Sequence, residues 1–267
     1  MKNRILILLL MVSSTAAADT RENCYDVLAK MLAPFTALFS TTHDKARNAM
    51  TAEITVVEMT GMPQELAGTK AGLALAPPDK LRVSSQAFDE LYVVCRNGQN
   101  IWVLPGLKFD TLLGQLPASP PAKANAKLGD FTLPVPEKEL VFLPALFHVS
   151  DGADETVNGT ACRVLNATLI PEVARSLNAN GWSARAWVGA NYKPVRLELN
   201  GPQWHAVVVF NAIDFLPSLP PETWKPSPEQ TDVLQLNASQ FWQLLYAAGL
   251  VKDNDGKPEA RNPKQVQ

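Results

Sequence analysis

Residues 22–48 carry Tyr25, Leu28, Met31 and Leu32 on one stripe at helical spacing, and Pro34 fits the first turn of a second helix bearing Phe35, Leu38 and Phe39. The pattern predicts two linked amphipathic helices. From Ala52 the period changes to two, with Ile54 and Val56 on one side of a strand that ends at the turn Gly61-Met62-Pro63. Further strands are predicted at about 70–76, 80–87, 90–96 and 100–104, with Asn97-Gly98 as the tight turn between the last two. This is an antiparallel meander.

Residues 105–136 break the rhythm with Pro105, Pro117, Pro120, Pro121, Pro134 and Pro136, and read as loop with room for a short helix. A short helix is predicted over 137–150, after which Asp151 to Thr156 and Ala161 to Leu169 flank the turn Asn158-Gly159 as a hairpin. Strands at 184–189, 193–200 and 203–213 complete the sheet, and the last is apolar on both faces, which predicts a central, covered strand. Residues 215–230, rich in proline, read as an extended return. Asn237 or Ser239 caps a final helix over 237–249, with Phe241, Leu244, Leu245 and Ala248 on its apolar face. Residues 252–267 are polar and charged and are expected to be disordered. The predicted domain therefore spans 19–251, with helices in 19–48 and the sheet over 52–235.

The start of the chain changes the picture. Lys2 and Arg4 precede the apolar run Ile5 to Val12, and Ala16-Ala17-Ala18 offers a small-residue cleavage site, so residues 1–18 read as a secretory signal peptide. The expected location is the periplasm, with no transmembrane segment left after cleavage. Cleavage leaves 22 basic against 26 acidic residues, a formal charge of −4. A nucleic-acid partner calls for a basic stripe, and none is present. The three cysteines, Cys24, Cys95 and Cys162, allow at most one disulfide, and Cys95 and Cys162 sit in predicted strands as small hydrophobes.

Motifs for catalysis are missing. The histidines His43, His148 and His205 show no zinc-binding spacing, and there is no G-x-S-x-G elbow, S-x-x-K, P-loop or G-x-G-x-x-G. The reading is of a protein that is not an enzyme and takes no metal and no cofactor. Of the six tryptophans, Trp102, Trp187 and Trp204 fall in predicted strands. They either fill core or line the concave side of a curved antiparallel sheet facing an apolar ligand.

The stretch "PPDKLRVSSQAFDELYVVCRNGQNIWVLPGLKFDTLL", residues 77–113, resembles the outer-membrane lipoprotein carrier and lipoprotein-sorting (LolA-like) superfamily. Pro78-Asp79, Asn97-Gly98 and Ile101-Trp102 fall where that family has its proline-started strand, its turn and its apolar-Trp pair. The hairpins "ETVNGTACRVLNATLIP" and "AWVGANYKPVRLEL" are similar to those that follow in lipoprotein-sorting relatives. The resemblance implies an α+β fold, a strongly curved, half-open antiparallel β-barrel of about eleven strands with helices covering its concave face. It implies a carrier for a lipid or an acylated lipoprotein, with the acyl chain against Leu81, Val83, Tyr92, Val94 and Trp102, and with Trp187 and Phe210 added to that cavity. The alternative on the same scaffold is an RseB-like sensor or regulatory domain acting through an envelope protein partner. In one respect the chain departs from the family: the arginine that precedes the proline-started strand aligns with Pro77 here.

Overall fold

The computed structural model describes residues 21–40, 48–61, 67–87, 89–116, 128–131 and 137–247. The expected signal peptide, the expected C-terminal tail and His43 lie outside them. Helix α1 (Cys24–Ala37) precedes five strands, β1 (Ala49–Thr60), β2 (Lys70–Ala76), β3 (Lys80–Ala87), β4 (Glu90–Asn97) and β5 (Asn100–Leu104). Helix α2 (Gly106–Gln115) and a 3-10 segment at Glu137–Leu146 lead to β6 (Phe147–Asp151), β7 (Glu155–Val157) and β8 (Thr160–Leu169). A short α3 (Pro171–Ser176) is followed by β9 (Ser183–Val188), β10 (Pro194–Gly201) and β11 (Trp204–Leu216). A 3-10 turn at Pro221–Trp224, strand β12 (Leu234–Leu236) and helix α4 (Ala238–Ala247) close the described chain.

The strands form one twelve-stranded antiparallel sheet in the order β12-β5-β4-β3-β2-β1-β11-β10-β9-β8-β6, with β7 paired to β8. Its two ends do not meet, so the sheet is the curved, half-open barrel that the sequence implies. Local chemistry sets the hairpins. Val157 pairs with Thr160 across Asn158 (φ +49°) and Gly159 (φ +79°), the left-handed pair that a tight two-residue turn requires. The long central strands β1 and β11 pair with two register shifts, at Glu53/Ile54 and Val56/Glu58, and bulges of this kind add local twist to a sheet. The apolar strand expected to be central, β11, lies in the middle of the order.

All the larger helices pack on one face of the sheet. Val27, Leu28 and Met31 of α1 bury Leu165, Ala186 and Val188, and Leu38 just beyond the helix packs with Met50, Ala52 and Ile213. At the other end Leu113 of α2 and Phe241 of α4 bury Ile101, Val103 and Leu236. Asn237 caps α4 reciprocally with Gln240: its Oδ1 accepts from the Gln240 N–H at 2.9 Å, and its own N–H donates to Gln240 Oε1 at 3.0 Å. Helix α1 also blunts a sheet edge, because the Val149 N–H of β6 donates to Tyr25 Oη at 3.4 Å and the Val149 carbonyl accepts from Cys24 Sγ at 3.6 Å. No described helix is long and apolar enough to cross a membrane.

Three local readings change, and one is made specific. Instead of two helices broken at Pro34, one helix runs through it, since burial of Met31 and Leu38 on either side outweighs the single hydrogen bond that proline forfeits. Residues 147–151 form edge strand β6 rather than helix, with Phe147 and Val149 alternating into the α1 cluster. The loop expected over 105–136, with room for a short helix, holds one, α2, whose start is fixed by the Gly106 N–H donating to the Asp232 carbonyl at 2.6 Å. The extended return carries an added short strand, β12, whose three residues are too few for periodicity to reveal.

Candidate functional site

Pairing registers settle which side chains share the helix-bearing face. One transverse row reads Ile213, Ala52, Leu73, Val83, Val94, Val103 and Leu234 across seven strands. A neighbouring row reads Phe215, Met50, Leu75, Leu81, Arg96, Ile101 and Leu236, and on the other side lie Phe210, Ile54, Ala71, Ser85 and Tyr92. Burial is uneven along the first row. Ala52 and Ile213 are buried under the α1 end, Val103 is buried under α2 and α4, and Val83 between them is 40% exposed. The helices thus leave an apolar trough whose floor is Leu73, Val83 and Val94, with Leu81 beside it.

The two ends of the trough differ in chemistry. At one, the Tyr92 ring meets Phe109 of α2 edge-on at 6.5 Å between centroids, and Lys108 donates to Tyr92 Oη at 3.3 Å while pairing with Glu90. The Glu90 and Tyr92 contacts raise the Lys108 pKa. At the other end Arg96 is 4% exposed, stacks on Phe131 at 4.6 Å, and donates to the carbonyls of Gly98 at 2.9 Å and Gly129 at 2.7 Å. Burial pulls its pKa down, although Asp79 and Asp130 oppose that. Arg96 binds residues 128–131 to the inner face, assisted by Gln99, whose side chain exchanges two hydrogen bonds with Leu128.

Of the residues singled out in the sequence, Leu81, Val83, Tyr92, Val94 and Phe210 therefore lie on one face. Trp102 and Trp187 lie on the opposite, outer face. Trp102 pairs with Cys95 and is covered by the proline-rich return, with its indole N–H donating to the Trp224 carbonyl at 3.0 Å. Trp187 is sealed between the guanidinium groups of Arg185 and Arg196, at 4.6 and 4.5 Å from its ring, and donates to Glu155 Oε2 at 2.9 Å. The registers carry a signal for Trp102 that sequence reasoning missed: a two-residue turn at Gly98-Gln99 pairs Val94 with Val103 and so forces Trp102 onto the other face. Arg96 was also missed. Its burial depends on Leu128 and Gly129, more than thirty residues away.

Among the described residues, no group of three or more His, Cys, Asp or Glu side chains is placed to hold a metal ion. Cys24, Cys95 and Cys162 are free thiols, and burial pushes that of Cys95 up to about 11.

No family model matches the sequence, and no curated protein matches it. Solved structures do resemble it at low identity. The lipoprotein LppX of Mycobacterium tuberculosis is 11% identical, with a TM-score of 0.39 over 70% of this chain and 93% of that one. MucB is 12% identical, with a TM-score of 0.40 over 77% of this chain and 63% of the longer MucB chain. A LolA superfamily protein from Nitrosomonas europaea is 12% identical, with a TM-score of 0.28 over 77% of this chain and 98% of that one. The chain is similar to these proteins in fold alone.

Proposed function

We propose that this protein is a periplasmic carrier that holds an acyl chain of a lipid or lipoprotein in the inner-face trough. The observation that carries the reading is Val83, a valine in mid-sheet, flanked by Leu73 and Val94, that the covering helices leave 40% exposed. A sheet interior that exposes apolar side chains between two helical covers offers a place for an apolar occupant. The predicted leader at residues 1–18 supports the periplasmic setting.

An acyl chain of sixteen carbons gains on the order of 12 kcal/mol gross on burial, at ~0.8 kcal/mol per methylene. A carrier must also release its cargo, so part of that gain has to be offset by rearranging the covers. Helix α2 suits this: its hold on β4 at this end consists of an exposed ion pair of Lys108 with Glu90, one long hydrogen bond from Lys108 to Tyr92 and one ring-edge contact, which are weak enough to exchange for ligand.

The test is native mass spectrometry, with organic extraction, of mature protein purified from periplasm without detergent. Bound acylated species are the expected result. Protein that is empty and also fails to take up a fluorescent fatty acid overturns the reading and favours an interaction domain that works through a protein partner.

A further inference from the structure

The proline-rich return covers the outer face over β2 to β5, and the other half of that face is organised differently. There the registers line up Ser150, Asn166, Arg185 and Glu198 and, past buried Val207, Glu58. Two residues along each strand, a parallel row reads His148, Thr168, Ser183, Asn200 and His205. The rows are about 7 Å apart and cross strands spaced about 4.8 Å from one another. Between them lies a groove of about 300 Å³.

Two features separate this groove from an ordinary solvated sheet face. First, its side chains are held in place rather than extended into water. Glu198 and His205 are each only 24% exposed; His205 Nδ1 lies 2.7 Å from Asn200 Oδ1, and Asn200 Nδ2 donates to Glu198 Oε1 at 3.4 Å. Second, Arg185 lines the groove with a guanidinium that is itself fixed, paired with Glu155 and stacked on the Trp187 ring at 4.6 Å.

We propose that this groove is a second binding site, for an uncharged, hydroxyl-rich ligand: a short saccharide chain lying across β6, β8, β9 and β10. Ser150, Asn166, Thr168, Ser183 and Asn200 each both donate and accept, beside the donor Arg185 and the acceptor Glu198, and hydroxyl groups are likewise both at once, so a polyol can match the array where a ligand of one polarity cannot. Glu198 and Glu58 disfavour a phosphate or nucleic acid. The rows offer no exposed apolar side chain to an acyl group. An added peptide strand would need a free edge, and Tyr25 and Cys24 already occupy the outward groups of Val149 on β6. The site does not depend on the acyl-carrier reading, since its residues face away from Val83.

The experiment is an amide and side-chain NMR titration of the 15N-labelled mature chain with the tetrasaccharide of β-1,4-linked N-acetylglucosamine and with cellotetraose. Expected are saturable shifts, in the millimolar range, of the Asn166 and Asn200 side-chain amides and of Arg185 Nε–H, with the Val83 region unmoved. Glu198→Gln keeps the shape of the groove and should weaken binding about tenfold by removing a charged acceptor. The proposal is overturned if neither sugar shifts these groups, if the shifts centre on Tyr92 and Val83, or if Glu198→Gln binds as the wild type does.

Discussion

Trp102 and Trp224 close the outer face of the sheet together: the Trp102 indole N–H donates to the Trp224 carbonyl at 3.0 Å, and both side chains are 3% exposed. The same carbonyl accepts from Cys95 Sγ at 3.7 Å, and Arg82 Nη1 holds the preceding carbonyl, that of Thr223, at 2.9 Å. A proline-rich segment with almost no regular structure is thereby fixed by burial and a few directed hydrogen bonds. Trp224→Ala should cost about 3–5 kcal/mol in urea denaturation, whereas Trp102→Phe, which keeps most of the volume and loses one hydrogen bond, should cost about 1 kcal/mol. The alanine variant should also open Cys95 to a thiol reagent to which the wild type is inert. Equal protection of Cys95 in both would mean that the return does not cover it.

The inner-face trough is tested by placing the same charge at two adjacent positions. Val83 is half open to solvent, so Val83→Glu should leave the circular dichroism spectrum and thermal midpoint nearly unchanged while fatty-acid uptake is lost. Val94 pairs with Val103 and packs into the cluster beneath α2 and α4, so Val94→Glu should cost about 3 kcal/mol or more by burying an unpaired carboxylate. If Val83→Glu takes up ligand as the wild type does, the trough is not the binding surface.

What could be read from the sequence followed the range of the interactions involved. Leu81 and Val83 on β3, with Tyr92 and Val94 on β4, share a face because strand alternation is local and each strand fixes its own parity, even though the turn after β4 falls at Gly98-Gln99 and not at the expected Asn97-Gly98. Phe210 joins them only because of the bulge near Asn211, which shifts the parity of β11 partway along its length, and such a bulge leaves no clear mark in the sequence. Trp187, added to the cavity on the resemblance, shares by strand alternation the face of Arg185 rather than that of Ala184, Ala186 and Val188. Its cover, however, comes from Arg196 on the next strand and Glu155 more than thirty residues earlier. The polar rows on the outer face were invisible for a related reason: each strand contributes two unremarkable residues, and only the registers of several strands bring them into line.

Arg96 is the charged residue that the fold buries most deeply among those described, and it spends its donors on three backbone carbonyls, those of Gly98, Leu128 and Gly129. Arg96→Met should cost about 2–4 kcal/mol, since the chain keeps those buried acceptors and loses their donors. Arg96→Lys should recover little, because a single ammonium cannot reproduce the fork that spans Gly98 and Gly129. Limited proteolysis provides a local readout. Both variants should become susceptible near residues 128–131 while β8 to β11 stay resistant, and uniform susceptibility along the chain would point instead to a global loss of stability.

The pairing of β6 with β8 makes a prediction about pH. Arg163 grips Asp151 through two hydrogen bonds, at 2.7 and 3.0 Å, and that contact holds the Asp151 carboxyl below its ordinary value of 3.8, against a smaller opposing effect of burial. A carboxylate whose pKa is lower folded than unfolded contributes its full stabilisation above the unfolded value and loses it as pH falls through the folded one. Thermal stability should therefore hold from neutral pH down to about 5 and decline below about 4. Asp151→Asn should begin lower at neutral pH and decline less, so the two curves converge in acid. Glu22, lowered chiefly by its hydrogen bond from Lys30, titrates in the same direction but lies in solvent, where screening leaves it a lesser part. Parallel curves for wild type and Asp151→Asn across the whole range would show that the Arg163 contact makes no pH-dependent contribution to holding β6 on β8.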